Sequence, residues 1–287
     1  MLATRELIFQ VICRNNGLII FDGLSHSELQ TGRRIEEDIS DFANAAGRHG
    51  YCRRYVIRDS VHLFAALAAV ETECKAGVLL PVLHFDFHGH PESGLLIAES
   101  GEFVSWQLLT RYVGRINAAT RNNTGLVLAA CHGFEVSKHV KVTEPSPFSF
   151  VIAAPDEIRA GAMQDMLREM YRETVVTGDL EAGLAGVDES IRSYICAEWF
   201  YREMASFMVT QYNQAGRAAI AEEIVTRKVQ ELGFSNRPLL QVLRKQAKKG
   251  LKSPEKFFSH ISKVFFHGDK LVSWQQFEAF VNYHRPR

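Results

Sequence analysis

The sequence predicts an α/β fold, with a mostly parallel sheet sandwiched between helices and a smaller all-α region after it. Three observations carry this. Nearly unbroken apolar runs recur at Val78–Phe87 (VLLPVLHFDF), Gly125–Ala130 (GLVLAA) and Phe148–Ala153 (FSFVIA), as expected of strands buried on both faces. Stretches with helical spacing lie between them, and strand–helix alternation is the pattern of a parallel sheet. Past about residue 187 the strand signal fades and long amphipathic stretches take over.

Taken in order, Glu6–Cys13 and Leu18–Phe21 flank Asn15-Asn16-Gly17 and read as a hairpin, because Asn and Gly tolerate positive φ. Ser27–Ala46 is a polar helical run with Ile35, Ile39, Phe42 and Ala46 on one side. Tyr51–Ile57 is strand-like, and His62–Cys74 is Ala-rich and helical. Ser105 caps a helix that runs to about Ala119. Ala162–Thr174 and Leu180–Gly186 are helical, as are Ile191–Gln214 and Ala218–Leu232. Ser253-Pro254 starts a helix with Ser as N-cap and Pro in the first turn, and Ser273 caps the last one, Trp274–Asn282. The division falls between residues 1–187 and 188–287.

Composition narrows the function classes. The chain has 287 residues, 33 Lys/Arg and 33 Asp/Glu, and is 46% hydrophobic. That is too apolar and too neutral for a disordered chain. The zero sum hides an asymmetry, since residues 1–225 carry 20 Lys/Arg against 29 Asp/Glu and residues 226–287 carry 13 against 4. Five cysteines without a CxxC pair argue against a disulfide framework or a zinc ribbon. No apolar stretch reaches the ~18 residues of a membrane span, and the first residues lack the apolar region of a signal peptide, so a cytoplasmic setting is expected. GxxxxGK[ST], GxSxG and HExxH are absent, which disfavours P-loop ATPases, α/β-hydrolases and zincin-type proteases.

Two segments can do chemistry. Leu83-His84-Phe85-Asp86-Phe87-His88-Gly89-His90 and Leu126-Val127-Leu128-Ala129-Ala130-Cys131-His132-Gly133 are apolar strands that end in a reactive residue before glycine. In parallel α/β sheets ligands bind beyond the carboxyl ends of the strands, so neighbouring strands would bring His88 and Cys131 together. An imidazole can take the thiol proton and return it to a leaving amine. The N–H groups of Gly89 and Cys131 could receive a developing oxyanion. His84, Asp86, His88 and His90 alternate and would share one face of an extended strand, but the segment should turn after Gly89 and a metal is not expected.

The two segments resemble those of the caspase-like (clan CD) cysteine peptidases, which include caspases, metacaspases, separases and the bacterial CHAT-domain peptidases. "VLHFDFHGH…GLLIAESG" is similar to the His strand of the CHAT branch and "LVLAACHG" to its Cys strand. "MLREMYRETVVTGDLEAGLAGV" resembles the helix, glycine and Ala-rich helix that follow. The resemblance spans about residues 15–188 and implies a caspase-like sheet. It implies His88 as general base and acid, Cys131 as nucleophile, and the Gly89 and Cys131 N–H groups as oxyanion donors. Metacaspases carry an Asp two residues before the nucleophile for a basic P1 side chain, and caspases carry Gln there. Here that position is Ala129, so neither preference transfers.

The remaining residues take lesser parts. Asp86 could orient His84 or line the substrate pocket; His90 is structural or faces substrate, and His132 lines the pocket. His84 reads as a core histidine, and Cys13, Cys52, Cys74 and Cys196 as packing thiols. The expectation is a cysteine endopeptidase acting on a specific protein, without cofactor or metal. The resemblance implies a triggered effector in a bacterial immune or cell-death system. Residues 188–287 would be a helical accessory region whose basic tail meets only solvent, an acidic regulatory protein or the acidic face of the first domain; a nucleic acid or membrane partner is not expected. The alternative is a catalytically silent member of the fold that binds through its pocket or basic helices.

Overall fold

The computed structural model describes residues 14–177, 183–184, 187, 190–212, 214–269 and 271–283. The chain divides into two compact units between Cys196 and Ala197.

The first unit is built on a six-stranded sheet in the order β2-β1-β3-β7-β8-β9. β1 (Gly17–Asp22), β2 (Cys52–Val56), β3 (Pro81–Asp86), β7 (Gly125–Ala129) and β8 (Phe150–Ala153) are parallel, and β9 (Arg192–Ile195) pairs antiparallel with β8. β1, β3 and β8 are buried at every position, which explains their unbroken apolar sequences. Alternate side chains leave opposite faces. Leu18, Ile20, Val82, Val127 and Ile152 meet Ile35 and Ile39 of α1 (Thr31–Ala45) and Met163, Leu167 and Tyr171 of α4 (Ala160–Thr177). α2 (Ser60–Lys75) and α3 (Trp106–Ala119) also pack against each other. The Asp59 carboxylate accepts the His62 N–H at 2.7 Å to cap α2, and the Ser105 hydroxyl accepts the Leu108 N–H at 3.3 Å to cap α3. The α/β class and the mostly parallel, helix-flanked sheet are therefore as expected.

Several local expectations change. Both edges of β1 are taken, by β2 and β3, so Leu18–Phe21 is no arm of a hairpin; Glu6–Cys13 lies outside the described residues. α1 begins at Thr31, not Ser27, because Ser25–Gln30 forms a loop held by its own side chains, with the Gln30 amide donating to the Ser25 and Glu28 carbonyls. Ile191–Gln214 is not one helix: Arg192–Ile195 is drawn into the sheet as β9 before α5 (Cys196–Thr210) starts. Leu180–Gly186 lies almost wholly outside the described residues. A three-stranded antiparallel sheet, β4 (His88–His90), β5 (Gly94–Ile97) and β6 (Glu102–Val104), leaves the end of β3. Its strands are too short to show a period in the sequence.

The described residues of the second unit form α6 (Gln214–Leu232), α7 (Arg237–Gly250), α8 (Pro254–Phe265) and α9 (Trp274–Tyr283), with most of α5. Aromatic rings make its core. Phe258 stacks on Phe277 at 4.2 Å between centroids and Phe200 on Phe265 at 4.7 Å, with Tyr201, Phe266 and Phe280 also buried. Ser253 caps α8 and Ser273 caps α9, as expected from the sequence; Ser273 and Gln276 bond each other's N–H groups in both directions. α7 carries Arg237, Arg244, Lys245, Lys248 and Lys249 without a carboxylate and buries no residue. Among the described residues no helix is long and apolar enough to cross a membrane.

Candidate active site

β3 and β7 lie side by side and in register, with Asp86 opposite Ala129. Their carboxyl ends therefore coincide. The Phe87 N–H makes a last rung to the Ala129 carbonyl at 3.4 Å, and the chain then departs into β4. This break at Phe87 ends the alternation of His84, Asp86, His88 and His90 on one face. Beyond β7, Cys131 is followed by His132 in the left-handed region (φ 57°) and by a short 3-10 helix, Gly133–His139. Each candidate catalytic residue thus stands two positions past the end of a central strand.

The glycines let these ends meet. A Cβ on Gly89 would stand 1.8 Å from the Cys131 carbonyl oxygen, and one on Gly133 would stand 2.8 Å from the Leu128 Cβ. No side chain fits at Gly89 without moving the backbone of Cys131.

A cavity of about 390 Å³ opens at this junction, and His88, Cys131, Asp86 and Glu28 all line it. The His88 ring is half exposed, and its Nε2 lies 2.5 Å from Glu28 Oε1. The other Glu28 oxygen accepts the Ser25 N–H at 2.7 Å. Burial alone would raise the Glu28 pKa, but the Ser25 N–H and His88 outweigh it and hold it below the usual carboxylate value. Cys131 is partly buried, with Sγ 3.8 Å from the Ile158 carbonyl oxygen. Among the described residues no protein acceptor takes the Cys131 N–H.

Asp86 lies deep in the cavity, 3% exposed. Its Oδ2 accepts the Thr31 hydroxyl at 2.5 Å, and a Cβ on Gly32 would come within 2.9 Å of the same oxygen. Burial first, and then the neighbouring Asp22 carboxylate, push Asp86 up to about 7, against the pull of Thr31, the Gly32 N–H and His88. Asp86 thus lines the same cavity as His88 and Cys131. His84 is fully buried and its Nδ1 meets the Tyr171 hydroxyl at 2.8 Å. Asp22 differs from Asp86 in having a cation, with Arg54 at 2.9 Å.

His90 and His132 line a second cleft of about 640 Å³, to which Cys131 also contributes. His90 is also structural, since its Nδ1 accepts the N–H groups of Glu92 and Ser93, each at 3.2 Å. The other described thiols are packed away. Burial first raises both Cys52 and Cys74 to about 12 and raises Cys196 far above an ordinary thiol; Cys13 lies outside the described residues. Among the described residues no three His, Cys, Asp or Glu side chains converge to hold a metal.

No motif in the sequence marks Glu28. It sits in the loop after β1, at the same sheet edge as the ends of β3 and β7, and the carboxyl-end rule could have singled that loop out. The chain matches no family model and no curated protein.

Proposed function

We propose that this chain is a cysteine endopeptidase of the caspase-like, CHAT-branch type, with His88 and Cys131 as its dyad. One observation carries the reading: both residues stand at the carboxyl ends of adjacent parallel strands and line one cavity, with Gly89 pressed against the Cys131 carbonyl. The sequence resemblance supports it independently.

The chemistry runs as acyl transfer. The Cys131 thiol passes its proton to His88, and its sulfur attacks the scissile carbonyl carbon. The carbonyl electron pair moves onto oxygen, which the Cys131 and Gly89 N–H groups receive. The C–N bond breaks, the amine takes the proton from His88, and a thioester remains on Cys131. Water, deprotonated by His88, then releases the acid and restores the thiol. Glu28 holds Nε2 of His88 and leaves Nδ1 to carry the proton. Here the Cys131 thiol donates to Ile158 and His88 donates to Glu28, so substrate must draw the two groups together; catalytic hydrogen bonds often tighten only in the complex.

The substrate is a specific protein, and the context implied by the resemblance is a triggered bacterial defence or cell-death effector. The helices after Cys196 are an all-α accessory region, and the five cations of α7 suit an acidic regulatory partner. The separate engagement of Cys131 and His88 favours one other reading, a silent binding module. Intact-mass analysis after exposure to a peptidyl electrophile separates the two. Wild type should gain one adduct at Cys131 and Cys131→Ala none; a wild-type Cys131 that stays unlabelled sinks the peptidase reading.

A further inference from the structure

We infer that the cavity beside Cys131 is the P1 pocket and that it selects a lysine or arginine side chain, whose cationic end meets Asp86. This rests on the peptidase reading and adds the substrate class.

The cavity is apolar along its walls and acidic within. Leu24, Leu29, Ile35, Met163 and Leu167 line it and suit a methylene stem. Among the described residues, Glu28 and Asp86 are the only carboxylates that line it, and no lysine or arginine does. Glu28 is already engaged by His88. Asp86 is almost wholly buried, and among the described residues no Lys or Arg forms an ion pair with it, although its neighbour Asp22 has Arg54. Thr31 and the first turn of α1 supply hydrogen bonds to Asp86 but no full charge. A buried carboxylate costs least when paired. A substrate cation entering along the apolar walls supplies that pair.

Other occupants fit worse. An aspartate at P1 would add a third carboxylate beside Glu28 and Asp86. A leucine would leave Asp86 buried without a countercharge. The residue opposite Asp86 in the ladder is Ala129, the position that holds the P1-binding Asp in the metacaspase pattern. The carboxylate here comes from the neighbouring strand.

The test is a set of acyloxymethyl ketones on one peptide, differing only at P1 (Lys, Arg, Leu, Asp), applied to the full chain. The rate of Cys131 modification is followed by intact mass, with Cys131→Ala as blank and iodoacetamide as a reagent indifferent to P1. Lysine and arginine reagents should react at least about a hundredfold faster than leucine or aspartate, the scale of a buried charge pair made or lost. Asp86→Asn should erase that preference once each ketone rate is divided by the iodoacetamide rate of the same protein. If leucine or aspartate reacts as fast, or Asp86→Asn keeps the basic preference, the pocket assignment is overturned and the peptidase reading stands. If no ketone labels Cys131, both fall. The P1 series on wild type decides the matter even if the variant fails to fold.

Discussion

Asp86 and His84, two residues apart on β3, drive stability in opposite directions as pH changes. Folded Asp86 keeps its proton up to about 7, whereas an unfolded carboxyl loses it near 3.8. In that window the folded state binds more protons, so stability falls as pH rises. Burial lowers folded His84 to about 3 from an ordinary 6.5. In that window the unfolded state binds more protons, so stability rises with pH. The groups facing Asp86 are Asp22 from β1, Thr31 and Gly32 from α1, and His88 from β4. Each slope is about 1.4 kcal/mol per pH unit, so the two contributions nearly cancel from about pH 4 to 6.5. Asp86→Asn removes the falling one. Urea titrations of the variant should gain about 3 kcal/mol between pH 4 and 6.5 relative to wild type over the same span. Parallel profiles for the two proteins would show that Asp86 ionises normally. Glu28 makes a separate prediction. Glu28→Gln should lower kcat by about 10²–10⁴ with little change in KM, as when the orienting acid of a triad is neutralised, and Glu28→Asp should recover part of the loss. A Glu28→Gln enzyme faster than wild type would make Glu28 a latch on His88.

The elements differ in how plainly the sequence announces them. β3, β7 and β8 are legible because burial on both faces leaves almost no polar residue in them, and with them came the placing of His88 and Cys131 at neighbouring strand ends. Ser105, Ser253 and Ser273 are legible because a cap is a local bond to an N–H three residues on. β9 is not legible: Arg-Ser-Tyr-Ile is four residues at a sheet edge, and its ladder to β8 lies more than 35 residues away in sequence. Glu28 and Asp86 acquire their roles only through contacts with residues 60 and 55 positions distant, which no local pattern encodes. The close approach of β4 to the end of β7 is testable at one position. Gly89→Ala places a carbon on the Cys131 carbonyl oxygen, and should destabilise the chain by about 1–3 kcal/mol in urea titrations. It should also slow iodoacetamide labelling of Cys131; wild-type values for both would mean that the backbone there yields freely.

Across the whole molecule, the thiols form a natural contrast. Native chain treated with iodoacetamide and mapped by peptide mass should carry the label on Cys131 and not on Cys52, Cys74 or Cys196, which should react only after unfolding in urea. Native labelling of Cys52 or Cys74 would contradict their burial. Charge is divided as well, with 13 Lys/Arg against 4 Asp/Glu in residues 226–287, so a partner held by α7 should dissociate more readily as salt is raised.

Among the described residues the sheet ends in β2 on one side and β9 on the other. A border strand leaves a row of unpaired amides that can recruit the same strand of another molecule. β2 carries Arg53 and Arg54, the first gripping Glu73 at 2.8 and 3.0 Å and the second bound to Glu36 and Asp22, while β9 carries Arg192. Arginine side chains on both border strands are of the kind that discourages edge-to-edge pairing between copies.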